Sequence, residues 1–158
     1  MGGNMQELGH GFYWQEMEVG RKFKTIGRSV FETDVLSFTG VTGMNELLFN
    51  NLEYIEHESP TGKRIAPAVL VLALAEGLVM QGTLQHTGMA FLGMELDMKG
   101  PVVIGDTIHV ELEVVESRAA SKGNRGFVRT KNSVVNQRGE TVLIYTPLRM
   151  MKGRPEAA

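Results

Sequence analysis

The amino-acid sequence predicts an α+β domain, an antiparallel sheet wrapped around one long buried helix. Three observations carry that reading. The segment Ala66–Met80 holds a single charge, Glu76, in fifteen residues. The segment from Thr107 to Met151 alternates apolar and polar residues between turn sequences. The 158 residues contain no dividing linker and no internal repeat, which suits one domain with one core.

The helix is predicted from Pro67 to Met80. Proline fits the first helical position, where its missing N–H removes no intrahelical bond, and the Leu and Ala that follow favour helix. A helix that is apolar all round needs cover on every side. Downstream, Met89–Leu96 reads as a strand and Gly100–Asp106 as a strand with a turn. Ile108, Val110, Leu112 and Val114 alternate with Thr107, His109, Glu111 and Glu113, the period of a half-buried strand. Gly126–Val135 and Thr141–Met151 are further strands, joined through the hairpin loop Asn136–Glu140, so antiparallel pairing follows. Upstream, Thr25–Val30 reads as an edge strand. Thr33 or Asp34 caps a short helix over Val35–Gly40, because a side-chain oxygen there accepts an orphan N–H. Leu52–Lys63, with Ser59-Pro60-Thr61-Gly62, reads as a loop. Residues 1–11 and 153–158 are expected to be flexible tails.

Composition removes several functional classes. The sequence has no cysteine, which excludes disulfides and thiolate metal sites. Sixteen Lys and Arg against eighteen Asp and Glu give a net charge of −2, no electrostatic basis for a nucleic-acid partner. The longest apolar stretch, Ala68–Ala75, is too short to span a bilayer, and no basic-flanked leader is present. A cytoplasmic location without membrane partners is expected. No histidine pair has metal-ligand spacing, so no metal is expected.

Four segments, in this order, resemble the MaoC-like dehydratases, which include the R-specific enoyl-CoA hydratases. They are Phe38-Thr39-Gly40-Val41-Thr42-Gly43, Arg64–Pro67 leading into Leu74–Leu78, Gly100–Ile108, and Val135-Asn136-Gln137-Arg138-Gly139-Glu140. The resemblance spans about Val19 to Arg149 and implies the hotdog fold. It also implies an acyl-CoA thioester bound beside the central helix, usually at a dimer interface, with coenzyme A as part of the substrate and no separate cofactor. In such hydratases an Asp and a His in the pattern S-G-D-x-N-P-x-H activate water. Backbone N–H groups at the start of the central helix, here those of Ala68 and Val69, polarise the thioester carbonyl.

Laid on this sequence, that pattern falls on Thr42-Gly43-Met44-Asn45-Glu46-Leu47-Leu48-Phe49. Met44 stands at the Asp position and Phe49 at the His position, and neither exchanges a proton. Glu46 and Asn45 are the remaining candidates for acid–base work and for holding a carbonyl or water. Each has an alternative as a solvated turn residue. Met44, Phe49, Ala68 and Val69 are the expected substrate-binding positions. Three functions therefore stand side by side: a hydratase or dehydratase relative with altered or lost chemistry, a non-catalytic thioester-binding or partner subunit, and a thioesterase using Glu76 as base.

Other polar residues are weighed in the same way. Glu76 serves as that base, or lies at the exposed C-terminal half of the helix, or bonds a backbone group from a neighbouring strand. His57, between Glu56 and Glu58, is an acid–base candidate or a loop residue. His86 reads as a cap or turn, His109 as the polar face of a strand, and His10 as solvated. Lys122, Arg125, Arg129 and Lys131, or Arg149, Lys152 and Arg154, are either phosphate contacts for coenzyme A or solvated strand ends. The ten methionines line an acyl tunnel or fill the core. A dimer is expected, since the strand from Met89 would otherwise leave an open sheet edge.

Overall fold

The fold, a computed structural model, describes residues 5 and 7–155. The greasy segment forms α4 (Ala68–Thr83), one turn longer than expected. Its N-cap is Pro67, held extended at φ −52° and ψ 137°. Two long strands, β5 (Thr107–Ala119) and β6 (Arg125–Asn136), make the central hairpin of the sheet. The alternation read from the sequence holds: Ile108, Val110, Leu112 and Val114 all point inward and are buried.

Three outer ribbons are each broken in the middle. β2 (Arg28–Ser29) pairs with Thr107 and Ile108 at the start of β5, and β1 (Lys22–Lys24) with Glu111, Leu112 and Glu113 further along it. β7 (Thr141–Tyr145) and β8 (Leu148–Lys152) pair with the two halves of β6, with Pro147 in the break, where no ladder N–H is available. β3 (Gly88–Gly93) pairs with β8, and β4 (Leu96–Met98) with β7. All pairings are antiparallel. From edge to edge the order is β1/β2, β5, β6, β7/β8, β3/β4.

The helix lies on this curved sheet. Leu70, Val71, Ala75, Leu78 and Val79 pack against Ile108, Val110, Leu112, Val134, Leu143 and Tyr145. Each buried aliphatic side chain contributes about 1.5–3 kcal/mol, so this contact is the main source of stability. The expectation of cover on every side is corrected. The opposite stripe of α4 stays open, with Val69 51% and Met80 43% exposed.

The segment between β2 and α4 overhangs the start of that helix. It comprises α1 (Glu32–Thr42), α2 (Leu47–Asn50) and α3 (Leu52–His57). The first helix is longer than the predicted Val35–Gly40, and neither Thr33 nor Asp34 is its N-cap. Phe31 holds that position, and Asp34 reaches back from the third residue to the Phe31 N–H at 2.8 Å. Gly43 ends α1 at φ +71°, a conformation that only glycine adopts without strain. Residues 52–57, read as loop, are helical because Asn51 Oδ1 accepts the Tyr54 N–H and caps them.

The expected tails are partly tied down. Gly11 and Phe12 donate to the Gln85 and Thr83 carbonyls at the end of α4. Gly153 N–H donates to the Asn124 carbonyl, and Arg154 pairs with Glu16. The remainder of both predicted tails, residues 1–4, 6 and 156–158, lies outside the described residues.

Candidate functional site

The first hydrogen bond of α4 runs from the Val71 N–H to the Pro67 carbonyl at 3.1 Å. The N–H groups of Ala68, Val69 and Leu70 therefore have no acceptor within the helix, and Pro67 offers no side-chain cap. Such a terminus favours an oxygen carrying negative charge. An open cavity of about 460 Å³ adjoins it. Leu48 and Phe49 of the overhang, Ile65, Ala66 and Ala68 at the helix start, and the run Met98–Val102 line it.

Two loops set that geometry. The run Lys99–Asp106 is held to the entry of α4 by an isolated bridge between Ile65 and Val103 and by the Ala66 N–H donating to the Val102 carbonyl at 2.8 Å. Asp106 pins the same run from below. Its carboxylate accepts from the Val103 N–H at 3.0 Å, Gln137 Nε2 at 2.7 Å and Arg138 Nη1 at 2.8 Å. Burial pushes the Asp106 carboxyl up, but the hydrogen bonds from Arg138, Gln137 and Val103 outweigh it and hold the group below its ordinary 3.8. Gly105, at φ +98°, makes the turn that aims this carboxylate. The two turn sequences picked out at Gly105-Asp106 and Asn136–Glu140 thus meet in space as one clamp.

Of the expected site residues, Phe49 and Ala68 line the cavity. Val69 follows on the open stripe of the helix. Met44, Asn45 and Glu46 sit on the exposed turn between α1 and α2, outside the lining. Lys99 is the one charged residue in the lining, and its ammonium pairs with Asp97. The sequence reading passed over Lys99, which looks like an ordinary surface lysine until the loop is folded.

Glu76 is neither at an exposed end nor bonded to backbone, which corrects that part of its reading. Its carboxylate receives Arg149 Nη2 at 2.6 Å, with both side chains largely buried. Tyr145, fully buried, stands beside the pair: burial and the Glu76 charge push its phenol far up, and Asn132 opposes them. Arg149 is thereby removed from the set of phosphate contacts, and Arg129 is engaged by Glu116 and the Thr146 carbonyl. His57 ends α3 and is exposed, while His109 Nε2 lies 3.1 Å from Glu111. His86 occupies the turn after α4 at φ +65° and stacks on His10. Among the described residues no cluster of three or more His, Asp or Glu could hold a metal, and no helix is long and apolar enough to cross a membrane.

Comparison with known proteins meets this geometry. The profile of the MaoC like domain family matches residues 15–137, most of the chain. The chain belongs to the MaoC-like domain family. Its fold is the hotdog fold, shared with a double-hotdog protein of Mycobacterium tuberculosis at a TM-score of 0.76. A 3-hydroxybutyryl-CoA dehydratase of Methylorubrum extorquens is 28% identical over 104 residues, 66% of this chain and 64% of that relative. The match thus spans about two thirds of each chain. The monoamine oxidase regulatory protein of Archaeoglobus fulgius superposes with a TM-score of 0.81 and 31% identity, covering 92% of this chain and 97% of that one. An R-hydratase of Pseudomonas aeruginosa gives 0.74 and 30%, covering 94% and 92%. Within this MaoC-like domain, the family profile covers the overhang, α4, β5 and β6.

Proposed function

We propose that this MaoC-like protein binds an acyl-CoA thioester, with the thioester carbonyl at the Ala68 and Val69 N–H groups and the acyl group in the cavity beside Phe49. The observation that carries the reading is the coincidence of unpaired helix-terminal amides with an apolar cavity in a chain of this family. The dehydratase and R-hydratase among its relatives support the substrate class. Hydration also needs a base for water and an acid for the α-carbon. The lining offers neither a carboxylate nor an imidazole. Binding without efficient hydration, as in a partner or carrier subunit, is therefore the reading the site favours over an active hydratase using Asn45 and Glu46. Glu76 as a thioesterase base has least support, because Arg149 already holds its carboxylate.

The Ala68→Pro substitution tests the carbonyl site directly. Ala68 is the first helical residue, where proline keeps the helix, and Pro67 already has the extended backbone that a following proline requires. The variant removes one N–H and little else. Titration with crotonyl-CoA should show wild-type binding and about tenfold weaker binding by the variant, the equivalent of one hydrogen bond. Equal binding by both would place the carbonyl elsewhere. Release of hydrated product that Glu46→Gln abolishes would restore the active-hydratase reading.

The same reading includes a homodimer. Among the described residues the outer edge of β3/β4 has no neighbouring strand, and Met89, Phe91, Leu92, Met94, Leu96 and Met98 stand exposed along it. A second copy placed edge to edge would cover that edge and these side chains.

A further inference from the structure

Arg64 ties together segments that carry the cavity's walls, without itself lining it. Its Nε donates to the Phe49 carbonyl at 3.1 Å, and its Nη1 pairs with the Glu32 carboxylate at the start of α1. Its own carbonyl accepts the Ile104 N–H at 3.1 Å, which ties it to the loop Lys99–Asp106. Three residues later the chain enters α4 at Pro67. The Arg64 side chain is 16% exposed and Glu32 is 60% exposed, so the bond to the Phe49 carbonyl is the sheltered one and the Glu32 pair lies against solvent.

The wall it holds has little local stability of its own. α2 has four residues, far fewer than an isolated helix needs, and its first residue Leu47 faces solvent. Glycine at position 43 leaves the link to α1 free to turn. The buried Phe49 side chain, 8% exposed, anchors this wall, and the guanidinium adds a tie from the Phe49 carbonyl on one side to α1 on the other. A lysine would substitute only in part, since one ammonium cannot span two partners in the plane that a guanidinium does.

We infer that Arg64 is a positioning residue: it sets the gap between the Phe49 wall and the amide terminus of α4, and so the fit of an acyl group, without contacting that group. The inference rests on the thioester reading above. Its test compares wild type with Arg64→Met, Arg64→Lys and Glu32→Gln, in crotonyl-CoA titration, thermal melting and amide hydrogen exchange. Arg64→Met should bind at least tenfold more weakly. Its amides at 49–51 should exchange at least tenfold faster, while those of β5 and β6 keep wild-type protection. Arg64→Lys should recover part of the loss. Glu32→Gln, which leaves the Phe49 bond in place, should lie between and serves if Arg64→Met does not fold. Wild-type affinity and wild-type exchange at 49–51 in the folded variants would overturn the inference. So would loss of protection spread equally over β5 and β6, since that is general destabilisation. If wild type itself does not bind crotonyl-CoA, the thioester reading falls, and the exchange pattern alone still decides for or against the tie.

Discussion

Glu76 is the single charge of the greasy helix, and Arg149 is the single charge between Thr141 and Met151. Each would be an uncompensated charge in an apolar setting without the other. Their pairing at 2.6 Å satisfies both, with Phe91 lying over the Arg149 guanidinium. Removing one partner leaves the other buried and unpaired, whereas replacing both by apolar residues of similar volume leaves neither. Glu76→Met should therefore cost about 3–5 kcal/mol in urea unfolding, and Glu76→Met with Arg149→Met should recover most of that loss. A double variant as unstable as the sum of the singles would show that the pair is not the reason these residues are tolerated.

At the scale of elements, the clamp at Asp106 joins two turns more than 30 residues apart. Val103, Gln137 and Arg138 all donate to one carboxylate. Asp106→Asn keeps the shape and removes the charge, and should destabilise by about 1–3 kcal/mol at neutral pH. The carboxyl is held below 3.8 in the folded protein, so its contribution is complete above that value and lost as pH falls through the lowered one. Asp34, lowered mainly by its hydrogen bond from Arg28, adds in the same direction. Melting temperature should thus fall more steeply below pH 4 in wild type than in Asp106→Asn, and parallel curves would contradict this.

At the scale of the whole molecule, the sheet covers one face of α4 and leaves a stripe of the other exposed. Met80 of the open stripe lines one open cavity with Met89, Ala90 and Phe91 of β3. Sedimentation should show a dimer in wild type. Leu92→Lys, which puts a charge on an exposed edge position of 47% accessibility, should shift it to monomer with the central hairpin intact. A monomeric wild type would remove the edge-to-edge arrangement.

Much of this was legible in the order of residues. The alternation in β5, the turns around β6 and the uncharged run of α4 determine an antiparallel sheet on one helix, because burial period and turn chemistry are local properties. The short helix after Asn51 was not legible, since its cap is one side chain among polar neighbours. Nor was the partnership of Glu76 with Arg149, though two lone charges in two apolar elements were its trace. Tertiary structure alone decided that Phe49 and Ala68 share a cavity while Asn45 and Glu46 lie on an exposed turn outside its lining. It also decided that Arg64 and Asp106 hold the walls, and that half of the helix remains uncovered. Those facts depend on which distant segments meet, and distance along the chain carries no record of that.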